Sequence, residues 1–390
     1  MNNLSQFFDT QSEHNLKVTE LVDNMNLLKS LSVEEYTFYK KWEDINYNFN
    51  QEVSNLRLVK NRIWRPYDIN DEAKTISQIE SLSPKIILVD SENIYEWNTI
   101  RAFCSSMTFD ANIGRNLKFL VVDEHTNAYL GCLSVGSDVI AINARDTYIG
   151  WTKEDRLEKG KLNNIAIGTS IIPTQPLGYN FLGGKLMACL VTSKFIRDLW
   201  KSRYEDLLVG MTTTSLYGSY SMYDSIPYWK SVGSSNGSVL LKPDDKIYKY
   251  WHNYIKTQFT DQYDNAYNAD NAIGVTSGVK QKIMSMILKE VGLTISNYKH
   301  GYERGVYFAP FYENTKDFLC GKISEAELKP LPKYQSDVDG MLSWWKEKAI
   351  RRYKKLKSEG RLDPSTLFYD DLFGTSWKEA KTMYIDKVGR

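Results

Sequence analysis

Residues 117–134, LKFLVVDEHTNAYLGCLS, contain two apolar segments that are separated by the polar tetrapeptide EHTN. Val, Leu, Phe and Tyr dominate both segments, and a short polar stretch between two such runs is typical of a β-hairpin. The sequence therefore predicts strands at 117–123 and 128–134 joined by a turn at 124–127.

Strands and helices alternate on both sides of this hairpin. We predict strands at 85–89, 165–173, 206–214 and 230–241, and helices at 94–104 (with Ser91 as N-cap), 181–204 and 217–229. An alternating order around a hairpin is typical of a mixed sheet that is covered by helices. The expected fold class is therefore α/β, with a mixed sheet flanked by helices.

Helical and irregular segments are predicted outside this core. Apolar residues recur at helical spacing in residues 12–57, which predicts a helical segment. The polar stretch 62–84 is predicted to be a connector and residues 259–278 a loop. Helices are predicted again at 279–291 and 341–360. We divide the chain into an N-terminal helical extension with connector (1–84), a core (85–242), a helical and irregular extension (243–340) and a basic C-terminal helical segment (341–390).

Length and composition exclude several classes of protein. The 390 residues exceed the ~100–200 typical of one domain, and 42% apolar with 25% charged residues is a globular composition. The formal net charge is only +1, so any attraction to nucleic acid must come from local patches. Scattered cysteines and histidines predict neither disulfides nor a metal site, and the lack of long apolar runs predicts a cytoplasmic protein without membrane contact.

Several strings resemble the DruA-like family, which takes its name from the Druantia anti-phage system. They are GRNLKFLV at 114–121, ARDTYIGW at 144–151, NFLGGKL at 180–186 and GVYFAP at 305–310. The resemblance covers about residues 100 to 325 of the chain. It implies a component of anti-phage defence that works beside a helicase.

The order of elements is also similar to the acyl-CoA N-acyltransferase (GNAT) fold and to its Mom-type phage members, which modify the exocyclic amine of adenine in DNA. In that fold a Gln/Arg-x-x-Gly-x-Gly/Ala turn follows the splayed fourth strand and approaches the donor pyrophosphate. Residues 175–180, QPLGYN, keep Gln175 and Gly178, but Asn180 takes the third small position and Pro176 lacks an N–H group. A plain strand-to-helix turn is the alternative.

The GNAT resemblance implies an acyl-CoA-type or other activated acyl donor. The residues that would bind this donor are Thr174, Gln175, Gly178, Asn180 and Gly183. It also implies a tyrosine that protonates the leaving thiolate, with Tyr223 as the first candidate and Tyr217 as the second. Asp146 or Ser215 would take the proton of the attacking group. The alternatives are that the tyrosine rings pack in the core or stack on a partner, and that Asp146 pairs with Arg145 or caps a turn.

Residues 346–361 contain eight basic and two acidic residues, and the aromatic residues Trp344, Trp345 and Tyr353 lie beside or among them. Basic side chains attract phosphates and aromatic rings stack on bases, so this segment is predicted to bind nucleic acid. The candidate contacts are Arg351, Arg352, Lys354, Lys355 and Trp345. Asn163 and Asn164 are further candidates, because amides hydrogen-bond to base edges. A solvated helix face with its tryptophans docked on the core is the alternative.

These features together predict a DNA-acting protein with a GNAT/Mom-like core that transfers an acyl-type group to a DNA base. A stacked base is out of reach of such chemistry, so the base must be extruded or the substrate single-stranded. The alternative is a non-catalytic DNA-binding component of a Druantia-like defence system. Its expected partners are DNA and a helicase or other defence or modification proteins.

Overall fold

The computed structural model describes residues 2–48, 53–105, 114–215, 222–268, 277–331, 338–366 and 369–388. Within these ranges the strands form one seven-stranded mixed sheet in the order β1-β2-β3-β4-β5-β7-β6. The strands are β1 (Pro84–Leu88), β2 (Asn116–Asp123), β3 (Tyr129–Ser137), β4 (Ile165–Pro173), β5 (Gly210–Ser215), β6 (Lys230–Leu240) and β7 (Lys299–Pro310). Helices flank the sheet, so the predicted fold class is confirmed.

The predicted hairpin is present as the antiparallel pair β2 and β3, with Leu117 opposite Val135 and Leu120 opposite Cys132. Strands β1 and β4 extend this pair on either side, with β1 antiparallel to β2 and β4 antiparallel to β3. Strand β5 is parallel to β4, and the register of this pair runs only from Ile165 opposite Gly210 to Ile167 opposite Thr212. The carboxyl ends of β4 and β5 therefore separate.

Helices account for most of the remaining described chain. They are α1 (Asn2–Ser30), α2 (Val33–Glu43), α3 (Val53–Asn61), α4 (Glu72–Ser81), α5 (Ile94–Cys104), α6 (Asn143–Ile149), α7 (Leu177–Phe181), α8 (Gly183–Leu190), α9 (Lys194–Tyr204), α10 (Asp245–Gln258), α11 (Thr260–Asn268), α12 (Ser277–Glu290), α13 (Thr315–Leu319), α14 (Val338–Ser358) and α15 (Trp377–Val388). A π-helix at Glu154–Glu158 and a 3-10 helix at Lys161–Asn164 lie between α6 and β4.

Several predicted elements differ from the structure. The predicted connector contains α4, whose N-cap Asp71 accepts a hydrogen bond from the Lys74 N–H, and the predicted loop at 259–278 contains α11. The N-cap of α5 is Asn93 rather than Ser91. The single helix predicted at 181–204 is interrupted twice: Leu182 adopts the left-handed conformation between α7 and α8, and residues 191–193 separate α8 from α9. Residues 222–229 are non-helical, and residues 216–221 lie outside the described chain.

The chain divides into two compact units. The first unit comprises residues 1–43, 236–302 and 381–390, and the second comprises 44–235 and 303–380. In the first unit the Tyr39 hydroxyl donates to the Asp244 carboxylate at 2.9 Å, and Glu43 Oε1 accepts from the Asp245 N–H at 2.7 Å. Burial raises the pKa of the Glu43 carboxyl above its usual range. The division into four segments made from the sequence stays a prediction.

The main hydrophobic core belongs to the second unit and is built around the sheet. Phe119 and Val121 of β2 and Leu133 of β3 are completely buried, as are Leu186 and Met187 of α8. Phe119 and Val121 lie two residues apart on β2 and thus face the same core. This core fixes the ends of β4 and β5, where the candidate site residues lie.

Candidate functional site

Helix α14 packs on the second unit through an apolar stripe. Trp345, Ala349, Tyr353 and Leu356 recur at helical spacing and are completely buried. The Trp345 indole N–H donates to the Leu182 carbonyl at 3.1 Å, and the Tyr353 hydroxyl donates to the Ile69 carbonyl at 2.7 Å. The Trp345 ring, which we predicted to stack on a base, is therefore part of the core and is enclosed there.

The opposite side of α14 presents three exposed cations, Arg351, Lys354 and Lys355, which we call the basic face. Their spacing of three and four residues places them on one side of the helix. Each has an acidic neighbour: Glu347 at 2.9 Å from Arg351, Glu72 at 3.9 Å from Lys354 and Glu359 at 3.9 Å from Lys355. Exposed pairs of this kind contribute only about 0–1 kcal/mol, so these cations remain available to a phosphate.

Arg352 differs from the basic face because it binds another part of the protein. Its guanidinium lies 5.3 Å from the centre of the Tyr179 ring, and its Nε donates to the Tyr179 carbonyl at 3.5 Å. Arg361 donates to the Tyr179 hydroxyl, also at 3.5 Å. The turn after β4 is thus attached to α14. Tyr179 was not predicted in this role, because the contact joins residues that are distant in the sequence.

This turn contains the five residues predicted to bind an acyl donor, and each of them contacts the chain itself. The Gln175 side chain accepts a hydrogen bond from the Tyr179 N–H at 3.0 Å, and the Thr174 hydroxyl donates to the Tyr129 carbonyl at 3.1 Å. The Asn180 side chain donates to the Asp363 carbonyl at 2.6 Å and accepts from the Asp363 N–H at 3.0 Å. Residues after α14 therefore cover the turn.

The two glycines of the turn lie against protein atoms. A Cβ added to Gly178 would lie 2.5 Å from the Gln175 side-chain nitrogen, and one added to Gly183 would lie 2.9 Å from the Leu177 backbone. Close packing of the chain thus accounts for both glycines without a donor. Donor binding by these residues stays a prediction.

The predicted general acid, Tyr223, is buried between the rings of Trp229 and Tyr307. Its hydroxyl lies 3.4 Å from that of Thr213 on β5, and burial raises the pKa of Tyr223 well above its usual range. Ser215 is buried at the end of β5. Tyr217, the second candidate acid, lies outside the described residues.

Asp146 belongs to a buried charge cluster. Its carboxylate accepts hydrogen bonds from the Arg145 guanidinium at 2.7 Å and the Trp151 indole at 3.0 Å, and it also pairs with Arg156. Arg145 is completely buried and also pairs with Asp138 at 2.8 Å. The ion pair with Arg145, which was the alternative to a catalytic role for Asp146, is thus present. The role of Asp146 as a proton acceptor stays a prediction. The spacing of apolar residues in the sequence did not indicate a role for Asp138.

Asn163 and Asn164 hold neighbouring segments of the chain. The Asn163 side-chain oxygen accepts from Arg115 at 3.1 Å, and the Asn164 amide donates to the Leu207 carbonyl at 2.9 Å. Both precede β4, whereas the turn of Thr174 follows β4. Since nine extended residues span about 30 Å, these asparagines and the turn lie at opposite ends of the strand.

Lys185 was not a candidate in the sequence, although it lies within one of the quoted strings. Its ammonium donates to the Met222 carbonyl at 3.1 Å and to the Asp224 carbonyl, and burial lowers its pKa. The same segment is also bound by Tyr307, whose hydroxyl donates to the Asp224 carboxylate at 3.1 Å. These contacts anchor the chain around Tyr223.

Among the described residues, no group of His, Cys, Asp and Glu side chains is arranged to hold a metal ion. No described helix combines the length and apolar character needed to cross a bilayer.

A mixed sheet with flanking helices, one of which carries a basic face, defines an α/β protein with a candidate nucleic-acid surface. The sequence matches the DruA family, described as Druantia protein DruA, over residues 39–321. The chain therefore belongs to the DruA family. It is 26% identical over 284 residues to Druantia protein DruA of Escherichia coli (strain UMEA 4076-1), a match that covers 68% of each chain. No solved structure matches.

Proposed function

We propose that this protein is a DNA-binding component of a Druantia-type anti-phage defence system and that the basic face of α14 is its DNA contact. The observation that carries the proposal is the division of α14 into two sides. The buried stripe around Trp345 and Tyr353 fixes the helix, and Arg351, Lys354 and Lys355 extend into solvent. A fixed helix presents its cations at fixed spacing, which suits the regular phosphates of a duplex.

The ion pairs on this face favour exchange with phosphate. Glu72, Glu347 and Glu359 neutralise the cations in part, but the pairs are exposed and screened by salt. A duplex offers one negative charge per ~1.7 Å, and binding releases its condensed counterions. Phosphates therefore compete well with these carboxylates.

The experiment is a titration of fluorescent duplex DNA with three proteins. One is the wild type, one carries Arg351→Gln, Lys354→Gln and Lys355→Gln, and the control carries Lys246→Gln, Lys249→Gln and Lys256→Gln on α10. Both variants lose three exposed positive charges, so net charge is matched. We expect weaker binding only when the basic face is changed; equal losses in both variants would refute the proposed contact.

Arg352 is left unchanged in this design because it contacts Tyr179 and its removal would disturb the turn. The same variant, introduced into cells that carry the complete defence system, should reduce protection against phage. We propose that a helicase or other proteins of the system act on the DNA that this protein binds. The family assignment supports this part of the proposal.

Transfer of an acyl-type group to a DNA base is the second candidate function. It is supported by the short register of β4 with β5, whose backbone pairing ends after Ile167 and Thr212, as in the splayed strands of the GNAT fold. Tyr223 lies near the end of this pairing, since its hydroxyl is 3.4 Å from that of Thr213. The contacts of Gln175 and Asn180 within the chain count against a donor site in the turn.

Mass spectrometry of nucleosides from cells that express the protein distinguishes the two functions. A new nucleoside mass would establish base modification, and calorimetry with coenzyme A derivatives would then test the donor. Unchanged nucleosides together with tight DNA binding would favour the binding component.

A further inference from the structure

The loop between β3 and α6 exposes three consecutive apolar residues. Val139 is 50% exposed, Ile140 is 61% exposed, and Ala141 is also exposed. Single apolar side chains on a surface need no explanation, but a run of three is avoided unless it has a function. We call these residues the apolar tip.

The backbone of the tip is held by the buried charge cluster. The Asp138 carboxylate accepts from the Val139 N–H at 2.7 Å, and Arg145 donates to the Val139 carbonyl at 2.9 Å. On the other side of the tip, Asp146 accepts from the Ile142 N–H at 3.2 Å. Burying charges is costly, and here the buried charges fix both ends of a short exposed loop. The tip is therefore preorganised.

The segment that forms the tip and continues into α6 carries no exposed charge. Among residues 139–150, all described, the exposed polar side chains are Asn143 and Thr147, which lie one helical turn apart. The carboxylates of Asp138 and Asp146 point inward to Arg145. The tip can thus approach a phosphate backbone without repulsion from its own segment, and Asn and Thr side chains are common ligands of DNA phosphates.

The size of the tip indicates its partner. A stable protein interface buries about 800 Å² on each partner, far more than two or three side chains expose. Insertion between stacked bases needs only one or two apolar side chains, and isoleucine is among the residues that proteins use as wedges. Val139 and Ile140 are β-branched and therefore stiff at χ1, as a wedge requires.

We propose that the apolar tip is a wedge that enters a base step of duplex DNA and unstacks it. This inference rests on the proposed DNA-binding function and adds a second contact to it. The tip follows β3 at the end of the sheet where β4 begins, about 30 Å from the turn that contacts α14. One turn of duplex is about 34 Å long, so a substrate of at least two turns is longer than this separation.

The test uses duplexes of two or more turns that contain 2-aminopurine, whose fluorescence rises when it is unstacked, at successive positions. Wild-type protein should raise the fluorescence, and Ile140→Ser and the pair Val139→Ser with Ile140→Ser should reduce this rise several-fold. Their affinity should fall much less, because the basic face is intact. Phe195→Ser removes another exposed apolar side chain, on α9, and should behave as wild type.

The outcomes separate the two proposals. Wild-type protein that binds duplex DNA without raising the fluorescence would overturn the wedge and leave the DNA-binding function standing. Tip variants with the full fluorescence rise but reduced phage protection would also overturn it, and would assign the tip to a protein partner. Absence of any DNA binding at low salt would overturn the proposed function and the wedge with it. Thermal melting of each variant verifies that the fold is intact.

Discussion

The Arg145 guanidinium lies completely buried between the carboxylates of Asp138 and Asp146. Burial of an ion pair gains little over an apolar pair, but removing one partner leaves an uncompensated charge. Asp146 matters most here, because it also binds Trp151 and Arg156. Its oxygens accept hydrogen bonds from these donors, so Asp146 holds the cluster together, and its role as a proton acceptor stays a prediction.

We predict that Asp146→Ala lowers the free energy of unfolding by about 3–5 kcal/mol, because Arg145 loses one of its two buried partners. Asp198→Ala is the control, since Asp198 pairs with Lys194 on the surface and its loss should cost at most about 1 kcal/mol. Urea denaturation measures both values. Similar losses for the two variants would show that the cluster is not the tight network described above.

The cysteines give a second prediction at the residue scale. Burial raises the pKa of the Cys189 thiol to about 11, so at pH 8 almost none of it is thiolate, the form that reacts with disulfide reagents. Cys104 and Cys132 are buried as well, and Cys320 is partly exposed. Burial also raises the pKa of the Cys320 thiol, but Cys320 is the most accessible of the four, so we expect it to react first in the native protein and all four to react after unfolding. Rapid labelling of Cys189 at pH 8, detected by peptide mass spectrometry, would contradict this.

At the scale of elements, local sequence patterns were sufficient to predict those strands and helices whose structure depends on neighbouring residues. The hairpin of β2 and β3 and the bounds of α5 follow from apolar periodicity and turn residues. Helix α4 was missed because its sequence is polar: it depends on the Asp71 cap and on burial of Thr75 and Ile79 against distant residues. The contact of Asn180 with Asp363 joins residues far apart in the chain, and a single sequence carries no trace of it.

Helix α14 shows that prediction of the candidate site from the sequence was limited in the same way. Its basic residues were evident in the sequence, but the side of the helix that docks was left open between two alternatives. The structure buries Trp345 and leaves Arg351 exposed, so the aromatic residues fix the helix and the cations face solvent. Docking of the helix and the proposed DNA contact thus involve different residues of one element.

We predict that Trp345→Ala lowers the free energy of unfolding by about 3–5 kcal/mol, because a completely buried indole and its hydrogen bond to Leu182 are lost. The adjacent Trp344 is only partly buried, so Trp344→Ala should cost about 1 kcal/mol. Chemical denaturation of both variants provides the measurement. If Trp344→Ala costs more, α14 docks in a different rotation.

At the scale of the whole molecule, the charges nearly cancel, since the chain has 49 basic and 48 acidic residues. A long-range field of the protein therefore cannot drive association with DNA. Binding must come from a local concentration of cations such as the basic face, and its strength must depend steeply on salt. Affinity at one salt concentration also reflects contacts that are not ionic, whereas the salt dependence counts phosphate contacts.

The salt dependence of duplex binding is thus the most direct test of the central claim. For the wild type, the logarithm of the binding constant should fall linearly with the logarithm of salt concentration. The slope should decrease in magnitude by about 0.9 per lost phosphate contact, hence by up to about 2.7 in the variant with Arg351→Gln, Lys354→Gln and Lys355→Gln. The Lys246→Gln, Lys249→Gln, Lys256→Gln control should keep the wild-type slope. The same slope in all three proteins would contradict the assignment of the basic face to DNA.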